Sequence, residues 1–110
     1  MSDITKKNKP QIPAFLIARV DITDPEQYRQ YLNAVPLIIE KYGGKASVRS
    51  SHPLTLEGPE EKRRIVVIQF ATIDKAKEFY YSPEYRQAKK FRDGAAIGEM
   101  IVVEGIAPDE

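Results

Sequence analysis

The chain has no cysteine, which excludes disulfides and thiol catalysis while leaving the redox compartment open. It has a single histidine, His52, so no multi-histidine metal site can form within one chain. Neither charge sign dominates: 17 basic residues face 16 acidic ones, and no general affinity for polyanions follows. No apolar run approaches the roughly 20 residues that span a bilayer. Residues 1–13 are polar, with three lysines and two prolines, and lack the apolar core of a signal peptide. These absences predict a cytoplasmic protein without a membrane partner. Residues 1–13 read as a flexible arm, 14–106 as one domain and 107–110 as a polar tail. A domain of this size buries a modest core, and oligomerisation is a common way to bury more.

What is present is clearest between Arg63 and Gly94. Ile65 to Phe70 is a short, β-branched apolar run that reads as a strand buried on both faces. The period then changes to a helical one at Ile73, Ala76, Phe79 and Tyr80, with Thr72 or Asp74 as cap. Ser82-Pro83-Glu84 stops this helix and starts another, Ser82 capping and Pro83 in the tolerated first position. Upstream, Ala14 to Ile22 predicts a strand. Thr23 or Asp24, then Pro25 and Glu26, open a helix with an apolar stripe at Tyr28, Tyr31, Leu32, Val35, Ile39 and Tyr42. Pro36 inside that stripe predicts a kink or two abutting helices, and Gly43-Gly44 the helix end. Lys45 to Ser50 and Glu99 to Gly105 read as further strands. Leu54 to Glu57 extends a strand or forms a small ribbon.

The order β-α-β-β-α-β, with its second helix split, predicts a ferredoxin-like α+β fold: a four-stranded antiparallel sheet with helices on one face. Alternation places Leu16, Ala18, Val20, Ala46, Val48, Val66, Ile68, Phe70, Ile101 and Val103 under the helices. The opposite set is Phe15, Ile17, Arg19, Ser47, Arg49, Ile65, Val67, Gln69, Met100, Val102 and Glu104. That face is too apolar for water and too polar for a simple core, so a homodimer packed sheet to sheet with two-fold symmetry is expected.

Asp24 to Ser50 (DPEQYRQYLNAVPLIIEKYGGKASVRS), Leu56-Glu57-Gly58, the stretch holding Phe79 to Tyr85 (FYYSPEY) and Val102 to Gly105 (VVEG) together resemble the domain of unknown function 1330 family. The resemblance spans Ala14 to Gly105; the arm before it is longer than the family core needs. The family is similar to a branch of the dimeric α/β-barrel superfamily, which implies the same sheet-to-sheet dimer. Its relatives include cofactor-free monooxygenases, haem proteins, muconolactone isomerase-like enzymes and stress-responsive proteins. The resemblance implies a fold and no particular reaction.

Arg49, next to a loop, offers a guanidinium fork for a carboxylate or phosphate; an ion pair with Glu57 or with a partner chain is the structural alternative. Glu57 belongs to the Leu-Glu-Gly element and pairs with Arg49 or Arg64 on that reading. His52 precedes Pro53 and reads as solvated, with acid-base chemistry the alternative. Ser82 reads as a cap rather than a nucleophile, no base being near it in sequence. Tyr28, Tyr31, Tyr80 and Tyr85 read as core residues with polar tips that can line a pocket. Arg92, seven residues after Tyr85, shares its helix face. Lys6, Lys7 and Lys9 are a weak nucleic-acid signal, because the aromatic platforms of a nucleic-acid-binding sheet are missing.

Three functions are compatible with these residues. The first is binding or transformation of a small acidic or aromatic organic ligand without a cofactor, in a cleft between sheet and helices. Arg49, Glu57 and Arg92 would be its polar contacts and Tyr31, Phe70 and Tyr80 its walls. If catalytic, oxygenation or isomerisation is the class that the resemblance implies. The second is a non-catalytic structural or stress-related dimer. The third is haem chemistry, disfavoured because His52 lies in a loop.

Overall fold

A computed structural model describes residues 11–108 of the chain. Lys6, Lys7 and Lys9 of the expected arm, and the last two residues of the tail, lie outside the described residues. The elements are β1 (Ala14–Ile22), α1 (Pro25–Lys41), β2 (Lys45–Ser50), β3 (Arg64–Phe70), α2 (Ile73–Tyr81), α3 (Pro83–Arg92) and β4 (Ala96–Glu104). All strand pairs are antiparallel, in the order β2-β3-β1-β4. This is the ferredoxin-like arrangement with its second helix divided.

Local chemistry sets the boundaries. Asp24 accepts a hydrogen bond from the Gln27 amide at 3.1 Å, and Pro25 fills a first-turn position where a missing N–H costs nothing. The helix runs unbroken through Pro36 to Lys41, so the alternative of two abutting helices is corrected. Proline still leaves the Leu32 carbonyl without its helical donor. Gly43, at φ 77°, turns the chain out of the helix. Gly44 then packs against the sheet so closely that a Cβ there would sit 2.7 Å from Cε1 of Phe70. Between α2 and α3, the Ser82 hydroxyl donates to the Phe79 carbonyl at 2.7 Å and accepts from the Tyr85 amide at 3.1 Å. Ser82 is buried and works as a cap.

The core lies between the helices and one face of the sheet. Leu16, Ala18, Val20, Ile68 and Phe70 meet Tyr28, Tyr31, Val35, Ala76, Phe79 and Tyr85. Two strands depart from the expected faces. In β4, Ala18 pairs with Met100 and Leu16 with Val102. Met100 and Val102 therefore face the helices, and Ile101 and Val103 the other side, the reverse of the alternation expected from sequence. In β2, Ala46 pairs with Ile68 but Val48 pairs with Val67, so Ser47 is bulged out of register. A bulge adds one residue and inverts every side chain beyond it. Val48 accordingly turns to the outer face, and Arg49, opposite Val66, turns beneath the helices. Leu54 to Glu57 forms no strand; Leu54 and Leu56 are exposed.

The outer face of the sheet carries Phe15, Ile17, Val48, Ile65, Val67, Ile97, Ile101 and Val103, all partly or largely exposed in the single chain. The loop before β3 is tied to this side by ion pairs. Arg63 binds Glu61 at 2.9 Å and Glu99, and Arg19 approaches Glu61 at 4.0 Å.

Candidate functional site

α1 lies closest to α3 and stands off from the strands, which leaves a cavity of about 380 Å³ between its inner face and the sheet. Ala18, Ala46 and Val66 form the floor, and Leu32, Val35 and Ile39 the roof. Tyr28, Tyr31, Phe79 and Tyr85 give it aromatic walls. Its polar groups are few: Arg49, Arg64, Glu40 and the tyrosine hydroxyls. An apolar hollow with a small number of convergent polar groups is the usual form of a small-molecule site.

The Tyr31 and Tyr85 hydroxyls share a hydrogen bond of 2.8 Å, and their rings meet edge to face at 6.2 Å. Burial pushes the Tyr31 hydroxyl pKa far up, and the neighbouring Tyr85 hydroxyl pushes it further. Burial also raises Tyr85, and it raises Tyr28 against the opposing pull of Arg64 and Arg92. All three hydroxyls stay protonated at neutral pH, and one proton of the Tyr31–Tyr85 pair is engaged in their shared hydrogen bond. Met100 receives Tyr85 Oη at 3.9 Å and Arg92 Nη1 at 3.8 Å on its sulfur. The Arg92 guanidinium sits 5.7 Å from the centroid of the Tyr31 ring, within cation–π range.

Arg64, expected from the sequence only as an ion-pair partner for Glu57, was not among the expected ligand contacts. It lies opposite Val20 on the helix-facing side of β3. Its Nε is enclosed and, among the described residues, has no hydrogen-bond partner. The signal was available: the alternation through Ile68 and Val66 steps back to position 64, placing an arginine in the core register. Arg49 lines the same cavity from β2, exposed towards its mouth.

The other expected site residues are dispersed. Glu57 is exposed on the loop between β2 and β3, outside this cavity's lining. The described ion pairs do not join it to Arg49 or Arg64. Phe70 is buried in the core against Phe79, with ring centroids 5.4 Å apart, and borders neither this cavity nor the second one. Tyr80 and Arg92 border that second, more open hollow of about 640 Å³, between α2, α3 and β4, together with Lys77 and Lys89. Leu16 and Met100 touch both hollows. His52 is exposed on its loop. Among the described residues no cluster of three or more histidines and carboxylates could hold a metal ion, and no helix is long and apolar enough to cross a membrane.

A four-stranded antiparallel sheet, with helices on one face and an aromatic-walled cavity beneath them, defines a ferredoxin-like domain. More narrowly, the chain belongs to the family described as Domain of unknown function (DUF1330), whose model matches residues 13–106. Among solved structures, it is similar to a protein of unknown function from Rhodopseudomonas palustris, at 21% identity and a TM-score of 0.70 over 97% of this chain and 92% of that one. It is also similar to SnoaB, a cofactor-independent oxygenase from Streptomyces nogalater, at 9% identity and a TM-score of 0.62 over 86% of this chain and 94% of that one. A third is a dimeric ferredoxin-like protein of unknown function from Bacteroides fragilis, at 15% identity and a TM-score of 0.52 over 84% and 96% of the two chains. At these identities the likeness is one of fold. No curated protein matches the chain.

Proposed function

We propose that this protein binds, or transforms, a small acidic or aromatic organic molecule in the cavity beneath α1, without a cofactor. It does so as a cytoplasmic homodimer joined through the outer face of the sheet. The observation that carries the ligand reading is the cavity itself: apolar floor and roof, aromatic walls, two arginines and a hydrogen-bonded pair of protonated tyrosines. Guanidinium groups in a mostly apolar hollow favour an anion. If a reaction follows, oxygenation or isomerisation of an activated carbon acid suits such a site. The fold shared with SnoaB lends support to that class.

The dimer rests on the eight apolar side chains left uncovered on the outer face, a patch of the kind that marks an interface. Ferredoxin-like relatives described as dimeric support it. A thermal-shift screen of small organic acids, aromatics and neutral analogues tests the ligand reading, and sedimentation tests the dimer. The reading expects stabilisation by acids or aromatics and a two-chain mass. A dimer that answers to no compound, with Arg49 held by a carboxylate of the second copy, would instead favour a non-catalytic structural or stress-related role.

A further inference from the structure

We infer that the ligand of this cavity is an aromatic carboxylate, held at its carboxylate by Arg64 and with its ring between the sheet and α1. This deepens the small-ligand reading above and rests on it. The first support is the state of Arg64. A buried N–H without an acceptor is uncommon in folded proteins, and a charged one especially so. The Arg64 Nε is enclosed, unpartnered and on the wall of a cavity large enough for a ligand. A carboxylate oxygen is the acceptor it lacks, and a planar carboxylate matches the guanidinium fork.

The second support is the charge of the lining. Arg49 and Arg64 contribute two positive charges and Glu40 one negative, so the lining is net cationic. Arg92 adds a further cation just behind the Tyr31 ring. A single carboxylate complements the net charge of the lining itself, and Arg92 adds a further attraction from behind.

The third support is shape. Ala18 and Val66 on the floor and Leu32 and Val35 on the roof bound a hollow flanked by Tyr28, Tyr31 and Tyr85. Small residues below and aromatic edges beside favour a flat ring over a flexible chain, since offset and edge-to-face contacts are available on the flanks. The volume is at the small end of the range of roughly 300–1,000 Å³ for small-molecule sites, which suits one or two fused rings. The Tyr31 and Tyr85 hydroxyls, their protons engaged with each other and with the Met100 sulfur, can accept from a hydroxyl substituent on such a ring.

The test is calorimetric titration of the full chain at neutral pH with four probes: 2-naphthoate, its neutral isostere 2-naphthamide, benzoate and the aliphatic octanoate. Naphthoate is expected to bind about tenfold or more tightly than naphthamide, in line with one charge-assisted hydrogen-bond pair, and more tightly than octanoate. Arg64→Met keeps the packed stem and removes the fork; it is expected to abolish the preference for acid over amide, whereas Arg49→Met reduces it only partly. If Arg64→Met does not fold by circular dichroism, the Arg64 Nε–H resonance of the unaltered protein serves instead. It should shift with naphthoate and stay in place with naphthamide. Equal affinity for acid and amide, a preserved acid preference in Arg64→Met, or an unmoved Nε–H resonance would overturn the role of Arg64. Octanoate binding as tightly as naphthoate would overturn the aromatic assignment. In these cases the cavity still binds ligands, and the broader reading stands. Binding of none of the four probes would count against both.

Discussion

The hydroxyls of Tyr31 on α1 and Tyr85 on α3 meet at 2.8 Å inside the core, beside the cavity. This contact joins the helix that stands off the sheet to the helix that α1 packs against. Tyr31→Phe or Tyr85→Phe alone leaves the other hydroxyl with a poorer set of partners. Each should cost about 1 kcal/mol, the typical net worth of a neutral hydrogen bond. The double variant should cost less than the sum, because it leaves neither hydroxyl behind. Urea denaturation of the four proteins measures this; strict additivity would mean that the two hydroxyls do not depend on each other.

Arg49 is exposed at the cavity mouth. Arg49→Ala should therefore change folding stability by no more than about 0.5 kcal/mol, as expected for a surface position, while weakening the binding of acids. A stability loss of several kcal/mol in the assembled protein would assign Arg49 to a structural ion pair with a second copy.

Ile17 lies mid-strand on the outer face, between Val67 and Ile101. Ile17→Asp should convert the proposed dimer to a single-chain species in sedimentation, because burying an unpaired carboxylate at an apolar interface is prohibitive. The acid and amide affinities of the cavity, on the other side of the sheet, should change little. A dimer that persists with this substitution would place the interface elsewhere.

Two carboxylates are expected to contribute to the acid limb of stability. A hydrogen bond from Lys41, with help from Tyr42, lowers the Glu84 pKa to about 2, and Arg63 lowers that of Glu61 to about 2. Both values lie below the ordinary glutamate value of about 4.3, so both groups bind protons more weakly folded than unfolded. Their contribution is present above about pH 5 and is lost as the pH falls towards 2. Glu84→Gln and Glu61→Gln should flatten the decline of stability between these limits. Added salt should do the same in part, since both half-buried groups still reach solvent. On the alkaline side, Tyr28, Tyr31 and Tyr85, three of the six tyrosines, have raised pKa values. Absorbance titration should show them ionising late, together with unfolding.

Gly44 packs its bare α-carbon onto Phe70 and Ile39. A methyl group there would lie 2.7 Å from one and 2.8 Å from the other, well inside contact. Gly44→Ala should destabilise by about 1–3 kcal/mol, as overpacking does, and a thermal melt will register it. A neutral result would show that the end of α1 can lift from the sheet.

Much of this fold was legible because capping, turn and alternation signals agreed. Asp24-Pro25, Gly43-Gly44 and Ser82-Pro83 marked their boundaries, and the split second helix followed from the last of these. The faces of two strands were not legible. Nothing in Lys45 to Ser50 distinguishes Ser47 as a bulge, since no glycine stands there. The partner strand, not the local residues, decides where the extra residue is absorbed. In β4, Met100 to Val103 is apolar on both sides, so its alternation carries no direction. Only pairing with β1 resolves it. The consequence for the site was direct. Arg49 was expected on the outer face and reaches the cavity through the bulge, and Glu57 was expected beside it and is not. Arg64 went unused although its register was readable, because a lone arginine preceding an apolar run looks like a strand boundary.

The single sheet also constrains how such a chain can vary. Its strands have a period of two, so adjacent residues serve opposite sides: Arg64 faces the cavity and Ile65 the outer surface, Val66 the cavity and Val67 the outer surface. Adding or deleting one residue within a strand exchanges the two inventories wholesale, turning cations outward and aliphatics inward. Diversification by point replacement on one side leaves the other untouched, whereas diversification by length change is confined to loops. Ser47 is the exception: the bulge absorbs one surplus residue, and deleting it would leave Val48 opposite Val67 and Arg49 opposite Val66 in a regular ladder, so that Arg49 keeps its place in the cavity.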